Sequence, residues 1–134
     1  MTPSGPFRLY FLSLSVLIFA AHSLAQAPPK YDPATETSIK GTVSELKLIP
    51  PAGPKPLAYL SVKTGPDKDK DVVQVFLCPK KFLDDMGITF KPDDAIQITG
   101  SKVKQDGNDL ILAREMVMGG ESITLRFPDG KPAW

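Results

Sequence analysis

Short runs of alternating apolar and polar residues, separated by turn-forming residues, dominate the chain after its N-terminal segment. Three such runs precede any helical pattern: 37–48, 57–64 and 72–78. Alternation with a period of two, rich in β-branched residues, is typical of strands that bury one face. The Pro-rich stretch 49–56 and the charged stretch 65–71 cannot continue a strand and predict loops. The chain therefore opens with three predicted strands.

The first predicted strand changes phase within itself. Ile39 and Val43 share one face with Gly41 between them, and Leu46 then resumes on the opposite phase. A slip of one residue indicates a β-bulge, and a glycine permits the close backbone approach that a sharp bend needs. A second slip follows Gly100 in the fourth predicted strand. Both slips predict strands that bend, as strands shared between two halves of a barrel must do.

One helical pattern interrupts the strands. Residues 79–86 place Phe82, Leu83 and Met86 at helical spacing, and Gly87 suits the end of the helix. Three further strands are predicted after it: 95–104, 110–118 and 122–127. The order predicts a mostly β fold, a small five- to six-stranded OB-fold-like Greek-key barrel with one short helix between strands 3 and 4. We expect the helix to close one end of the barrel against Val43, Val75 or Ile98.

The first 27 residues predict a secretory signal peptide. Arg8 precedes the apolar run 9–21, and Ala25-Gln26-Ala27 offers a small-x-small cleavage pattern. The run is shorter than the roughly 20 residues of a spanning helix, which disfavours an uncleaved membrane anchor. We therefore expect a periplasmic or secreted protein with no membrane span after cleavage. Residues 28–36 then form an extended leader, and residues 37–134 form the barrel domain.

Removal of this segment changes the charge and the available chemistry. The mature chain would lose Arg8, which leaves 16 − 1 = 15 basic residues against 15 acidic ones, and it would lose His22, the single histidine. Without histidine and with one cysteine, Cys78, neither a Ser–His or Cys–His nucleophile pair nor a His or thiolate metal site can be built. These features predict a protein that is not an enzyme, with no cofactor and no metal.

Two further classes of ligand are disfavoured by the charge pattern. Asp67, Asp69 and Asp71 alternate with lysines but lack the Gly and Glu positions of a calcium loop, so a solvated loop is favoured over a metal site. A neutral mature chain with few aromatic residues lacks the basic groove of nucleic-acid binders, so no nucleic acid is expected.

Two strand segments carry a family resemblance. Ile39–Val43 and Asp94–Val103 resemble strands of the bacterial periplasmic OB-fold (BOF-like) family of small secreted proteins. The opening Tyr31–Glu36 and the tail Leu125–Trp134, with Ala113-Arg114-Glu115 between them, are similar to a group of secreted bacterial proteins of unassigned activity. The resemblance implies a binding module and supplies no catalytic residues.

The second and third strands with their flanking loops are the usual binding surface of an OB-fold. If the aliphatic residues of these strands face the core, Tyr59, Lys63, Gln74 and Phe76 face outward beside the Pro-rich loop. These four residues are the candidate ligand-binding site. The alternative is that one ring covers a barrel seam or packs under the leader.

The resulting hypothesis is a non-catalytic exported binding module for an unknown small ligand or an envelope protein partner. A structural or accessory subunit of a periplasmic or secreted complex is the alternative. Cys78, between the third strand and the helix, is either a reactive thiol at a helix start or, as free cysteines more often are, a small buried hydrophobe.

Overall fold

The computed structural model describes residues 29–67 and 69–134, so the predicted signal peptide lies outside the described residues. After a 3-10 turn at Pro33–Thr35 come six strands and one helix. The strands are β1 (Glu36–Ile49), β2 (Leu57–Lys63), β3 (Val72–Pro79), β4 (Ala95–Gln105), β5 (Asn108–Met118) and β6 (Glu121–Thr124), and the helix α1 (Lys80–Met86) lies between β3 and β4. Within the described part of the chain, no helix has the length and apolar character needed to cross a membrane.

The six strands form one sheet that closes on itself. Their order is β3-β2-β1-β4-β5-β6 with antiparallel neighbours, and β3 also pairs in parallel with β5. That parallel ladder consists of Val75–Ile111 and Phe76–Leu112. It joins the first five strands into a ring and leaves β6 outside it. The predicted fold class is confirmed: mostly β, with ring-like closure and one helix between the third and fourth strands.

The first predicted phase slip is confirmed as a register shift within β1, whereas the second lies beside its predicted place but has its extra residue, Arg114, on β5 rather than on β4. The β1–β2 ladder passes from Val43 to Glu45 and omits Ser44, and the β4–β5 ladder shifts between Thr99 and Gly100. An extra residue on one strand bends that strand and increases its twist. The bends let β1 pair with β2 and β4, and let β5 pair with β4, β6 and β3.

The two strand glycines are required by close backbone approach. A Cβ atom on Gly41 would lie 2.2 Å from the carbonyl oxygen of Lys63, and one on Gly100 would lie 2.2 Å from that of Leu112. No side chain fits at such a distance. Glycine is therefore what allows the barrel to coil at these two positions.

Arg114 is the residue that the β4–β5 register shift leaves unpaired on β5. Its Nε donates to Oε1 of Glu36, and the hydroxyl of Tyr31 donates to the same oxygen at 2.6 Å. Its carbonyl accepts hydrogen bonds from the backbone N–H groups of Leu125 and Arg126. The bulge residue thus ties the chain before β1 and the segment after β6 to the barrel.

The barrel interior is apolar and continuous. Its buried residues are Val43, Ala58, Leu60, Val62, Val75, Leu77, Cys78, Leu83, Ile96, Ile98, Ile111, Ala113, Met116 and Leu125. Every strand of the ring contributes to this cluster, as expected of side chains that alternate between the two faces of a strand. On β5, whose run of apolar residues predicts no inward face, the structure turns Ile111 and Ala113 inward.

The helix closes the barrel through Leu83. Leu83 is 1% exposed and belongs to the same core cluster as Val43, Val75 and Ile98, as expected of a helix that packs on the barrel core. Phe82 is only partly buried and Met86 is 41% exposed. A helix of two turns that lies on the rim turns one side chain fully inward, because the others lie at the edge of its narrow apolar face.

Candidate functional site

Three of the four residues predicted to form a site lie together on the outer face of β2 and β3. Tyr59 is the register partner of Phe76, and their rings are tilted by 47° with centroids 5.1 Å apart. Gln74 is paired with Ser61, whose hydroxyl donates to Oε1 of Gln74 at 3.1 Å. Tyr59, Gln74 and Phe76 are each half-buried. The face is therefore aromatic and polar, as expected, but partly covered.

Lys63 is not part of this group. It ends β2, where it pairs with Thr42 of β1 and Val72 of β3. It lies four residues along the strand from Tyr59 and does not line the depression that Tyr59 and Gln74 share. The outward direction alone therefore brought Lys63 into the predicted site, whereas its position along β2 separates it from the other residues.

A groove of about 470 Å³ runs beside Tyr59 and Gln74. It lies between the end of β1 and the β4–β5 hairpin, and it is lined by Lys47, Ile49, Tyr59, Gln74, Gln105, Asp106, Asn108, Asp109 and Leu110. Ile49 is 50% exposed at one side of it. We call this depression the outer groove.

Phe76 does not open into the outer groove, because Trp134 lies against it. The two rings meet edge to face with centroids 6.2 Å apart, and Trp134 also lies 6.0 Å from the ring of Phe82. The Arg126 guanidinium stacks on Trp134 at 5.1 Å and on Tyr31 at 5.6 Å from the ring centroids. The alternative that one aromatic ring of the predicted site is covered therefore applies to Phe76. The residue that covers it is Trp134 and not the leader.

Leu110 and Leu112 form part of the same outer face, which sequence reasoning did not predict. They are 5% and 2% exposed but lie outside the barrel-core cluster, since they alternate on β5 with the inward residues Ile111 and Ala113. Apolar residues buried on both faces of a strand give no alternation. The continuous apolar run of β5 is the sequence signal that could have located Leu110 and Leu112, because a strand that is covered on both faces shows no alternation.

The β4–β5 hairpin supplies the polar wall of the outer groove. Asp106 and Gly107 form its turn with φ values of 52° and 81°, the left-handed region that Asp-Gly hairpin turns use. Asp109 follows, and its Oδ1 lies 2.7 Å from Nζ of Lys104. The hydrogen bond from Lys104 lowers the pKa of Asp109 below its usual value. This carboxylate is therefore ionised and paired at neutral pH.

Two groups with acid–base or nucleophilic potential are held in unreactive forms. Burial raises the pKa of the Tyr59 hydroxyl above its usual value, so the phenol stays protonated at neutral pH. Cys78 is 0% exposed, and burial raises the pKa of its thiol to about 12. Cys78 is therefore a core residue. Because the thiolate is the reactive species and this thiol stays protonated at neutral pH, the hypothesis of a reactive thiol is wrong.

The aspartates of the loop before β3 serve the loop itself. Oδ1 of Asp67 accepts from the backbone N–H groups of Asp69 and Lys70 at 2.8 and 3.2 Å, and Oδ2 of Asp71 accepts from that of Asp67 at 3.0 Å. These bonds use the carboxylate oxygens that a calcium ion would need. Across the described ranges, no three His, Cys, Asp or Glu residues converge in a way that could hold a metal ion.

Comparison with known families gives one match. The family described as "MamS/MamX magnetosome protein family" matches residues 35–123, which is more than half of the chain and spans β1 to β5 and all but the last residue of β6. The match does not support the BOF-like family suggested by the resemblance, although it does not contradict a small secreted bacterial protein. A comparison with curated proteins finds no relative with significant similarity.

Proposed function

The chain belongs to the MamS/MamX magnetosome protein family, and from this premise we propose that it is a non-catalytic accessory protein of a magnetosome-associated assembly. The family match over residues 35–123 is the observation that carries this proposal. The chemistry of the described residues is consistent with it, because the one thiol is buried and the aromatic hydroxyl beside the groove stays protonated. Of the two functions that the sequence suggests, the accessory subunit therefore takes precedence over the small-ligand module.

We propose that a protein partner docks in the outer groove. Ile49 is half-exposed at its edge, Tyr59 offers an apolar ring with a hydroxyl, and the amides of Gln74, Gln105 and Asn108 can pair with a peptide backbone. Recognition of extended segments commonly combines one apolar anchor with side-chain or backbone hydrogen bonds. The partner we infer is thus an extended segment that places an apolar side chain between Ile49 and Tyr59.

The predicted signal peptide supports an assembly outside the cytoplasm. In such a compartment a protein whose stability depends on packing, with its single cysteine buried, has no thiol to be drawn into mixed disulfides. The N-terminal residue of the protein recovered from its native host would test this localisation. An N-terminus near Pro28 supports export, and recovery of chain that still begins at Met1 from the cytoplasm would argue against it.

In vivo crosslinking with matched variants tests the docking proposal. Ile49→Asp places a charge in the outer groove, whereas Phe127→Asp makes the same change at a residue that is equally exposed, 50%, and outside the groove. We expect wild type and Phe127→Asp to crosslink to the same component of the host's magnetosome fraction, and Ile49→Asp to lose it. Loss of the crosslink in both variants, or in neither, would contradict docking in the groove.

A further inference from the structure

A short parallel ladder closes the barrel. It consists of two residue pairs between β3 and β5, Val75–Ile111 and Phe76–Leu112, and no pair forms nearer the N-terminal ends of these strands. At that end, where β3 begins, lies a cavity of about 570 Å³. The helix α1 follows the end where β3 finishes, so the cavity lies at the opposite end of this strand, and we call it the barrel mouth. Its volume lies within the range of pockets that hold small molecules.

The interior of the barrel mouth is apolar. Ile39 of β1, Val73 of β3 and Ile111 of β5 line it, and the first two are partly buried residues that pack against the core cluster. Val72 adds a further aliphatic side chain from β3. These groups would contact the hydrocarbon part of a ligand, and burial of that part would supply most of the binding free energy.

The rim of the barrel mouth is polar and carries two lysines. Lys102 of β4 lies 3.7 Å from Oδ2 of Asp109, whereas Lys104 holds Oδ1 of the same carboxylate at 2.7 Å. Asp109 is thus paired mainly with a lysine that does not line the cavity. Lys70 also lines it, and its ammonium group forms no ion pair with any residue that the structure describes. Asp109 also lines the cavity, so its two lysines and one carboxylate leave one net positive charge there.

We propose that the barrel mouth binds a small amphipathic carboxylate. Its hydrocarbon chain would lie against Ile39, Val73 and Ile111, and its carboxylate would face Lys70 and Lys102. An apolar pocket bordered by a few charged groups fixes both the class and the orientation of such a ligand. This inference does not depend on the proposed function. Gln74, Asn108 and Asp109 border both depressions, but the residues assigned to the carboxylate ligand line the barrel mouth and not the outer groove.

A titration of the whole mature chain with octanoate at low ionic strength tests the proposal. The backbone amide chemical shifts of the protein report the binding. The matched probe is 1-octanol, which has the same chain without the charge. We expect octanoate to give saturable shifts centred on Ile39, Val73 and Ile111, and 1-octanol to bind more weakly. Shifts centred on the outer groove, equal binding of the two probes, or no saturation would overturn the proposal.

A pair of charge-matched double variants locates the carboxylate. Lys70→Gln with Lys102→Gln should weaken octanoate binding by roughly three- to tenfold, which is the range for partly exposed ion pairs. Lys40→Gln with Lys91→Gln removes the same charge from exposed positions that line neither the barrel mouth nor the outer groove, and should leave the affinity unchanged. If both double variants weaken octanoate binding equally, the loss of affinity follows from the change in net charge alone, and the assigned site is wrong.

Discussion

Trp134 meets Phe76 edge to face, with ring centroids 6.2 Å apart. The C-terminal residue thereby lies on the outside of β3 and also contacts the ring of Phe82 on α1. Edge-to-face pairs place the positive edge of one ring against the negative face of the other, which adds to the gain from burial. The tail is therefore part of the fold: it links β3 and the helix on the outer surface of the barrel.

Replacement of Trp134 with Ala should lower the free energy of unfolding by about 2 kcal/mol, because two aromatic pairs and the stack with Arg126 are lost while the ring is already 39% exposed. Urea denaturation followed by circular dichroism would measure the loss. Phe127→Ala, at a residue 50% exposed, is the control and should change stability by less than about 0.5 kcal/mol. Equal effects of the two substitutions would show that the Trp134 contacts contribute nothing specific.

Much of the fold follows from local pattern, and the covered site does not. The strand periods, the slip at Val43 and the helix ending at Gly87 depend on residues close in sequence, so the barrel could be predicted. The contact of Trp134 with Phe76 joins residues distant in sequence, and no periodicity encodes it. The outer groove combines β1, β2, β3 and the β4–β5 hairpin for the same reason. The sequence therefore predicted that Tyr59, Gln74 and Phe76 share an outer strand face, but it predicted neither the separation of Lys63 nor the walls of the groove.

Gly100→Ala should destabilise the barrel by about 2 kcal/mol or more, because the added methyl group would lie 2.2 Å from the carbonyl oxygen of Leu112 and the β4–β5 ladder must shift to admit it. Gly53→Ala provides the control. That residue is in an exposed loop, and the nearest atom to its added methyl group is a Pro50 side-chain carbon at 3.0 Å. Thermal melts of both variants would decide the matter, and a Gly100→Ala protein that melts with the parent would contradict a required close approach.

Glu36 should make stability depend on acidity. Hydrogen bonds from Arg114 and then from Tyr31 hold the pKa of Glu36 below its usual value. Because its pKa is lowered in the folded state, the Glu36 carboxylate contributes fully to the free energy of unfolding above about pH 5. This contribution is lost as the pH falls through the folded-state pKa. We expect Glu36→Gln to cost about 1 kcal/mol at pH 7 and progressively less as the pH falls through the folded-state pKa, as measured by urea denaturation. Glu121→Gln, at an exposed position on β6, should show no such convergence.

Tyr31 should produce the opposite dependence at alkaline pH. Burial, and then the hydrogen bond to Glu36, raise the pKa of Tyr31 to about 12. The stabilisation is therefore complete below about pH 10 and is lost as the pH rises toward 12. Tyr31→Phe should remove this part of the alkaline dependence while it retains the ring under Arg126. An unchanged alkaline limb in the Tyr31→Phe variant would show that other groups cause it.

Leu83, rather than Phe82, should be the residue of α1 on which barrel closure depends. Leu83 is 1% exposed within the core cluster, so Leu83→Ala should cost about 3–5 kcal/mol through lost burial and the cavity left behind. Phe82 lies at the edge of the cluster and contacts Trp134, so Phe82→Ala should cost about 1–2 kcal/mol, even though it removes the larger side chain. Size alone would give the reverse order. If urea denaturation ranks Phe82→Ala as the more damaging, the helix packs through its aromatic ring and Leu83 does not plug the barrel.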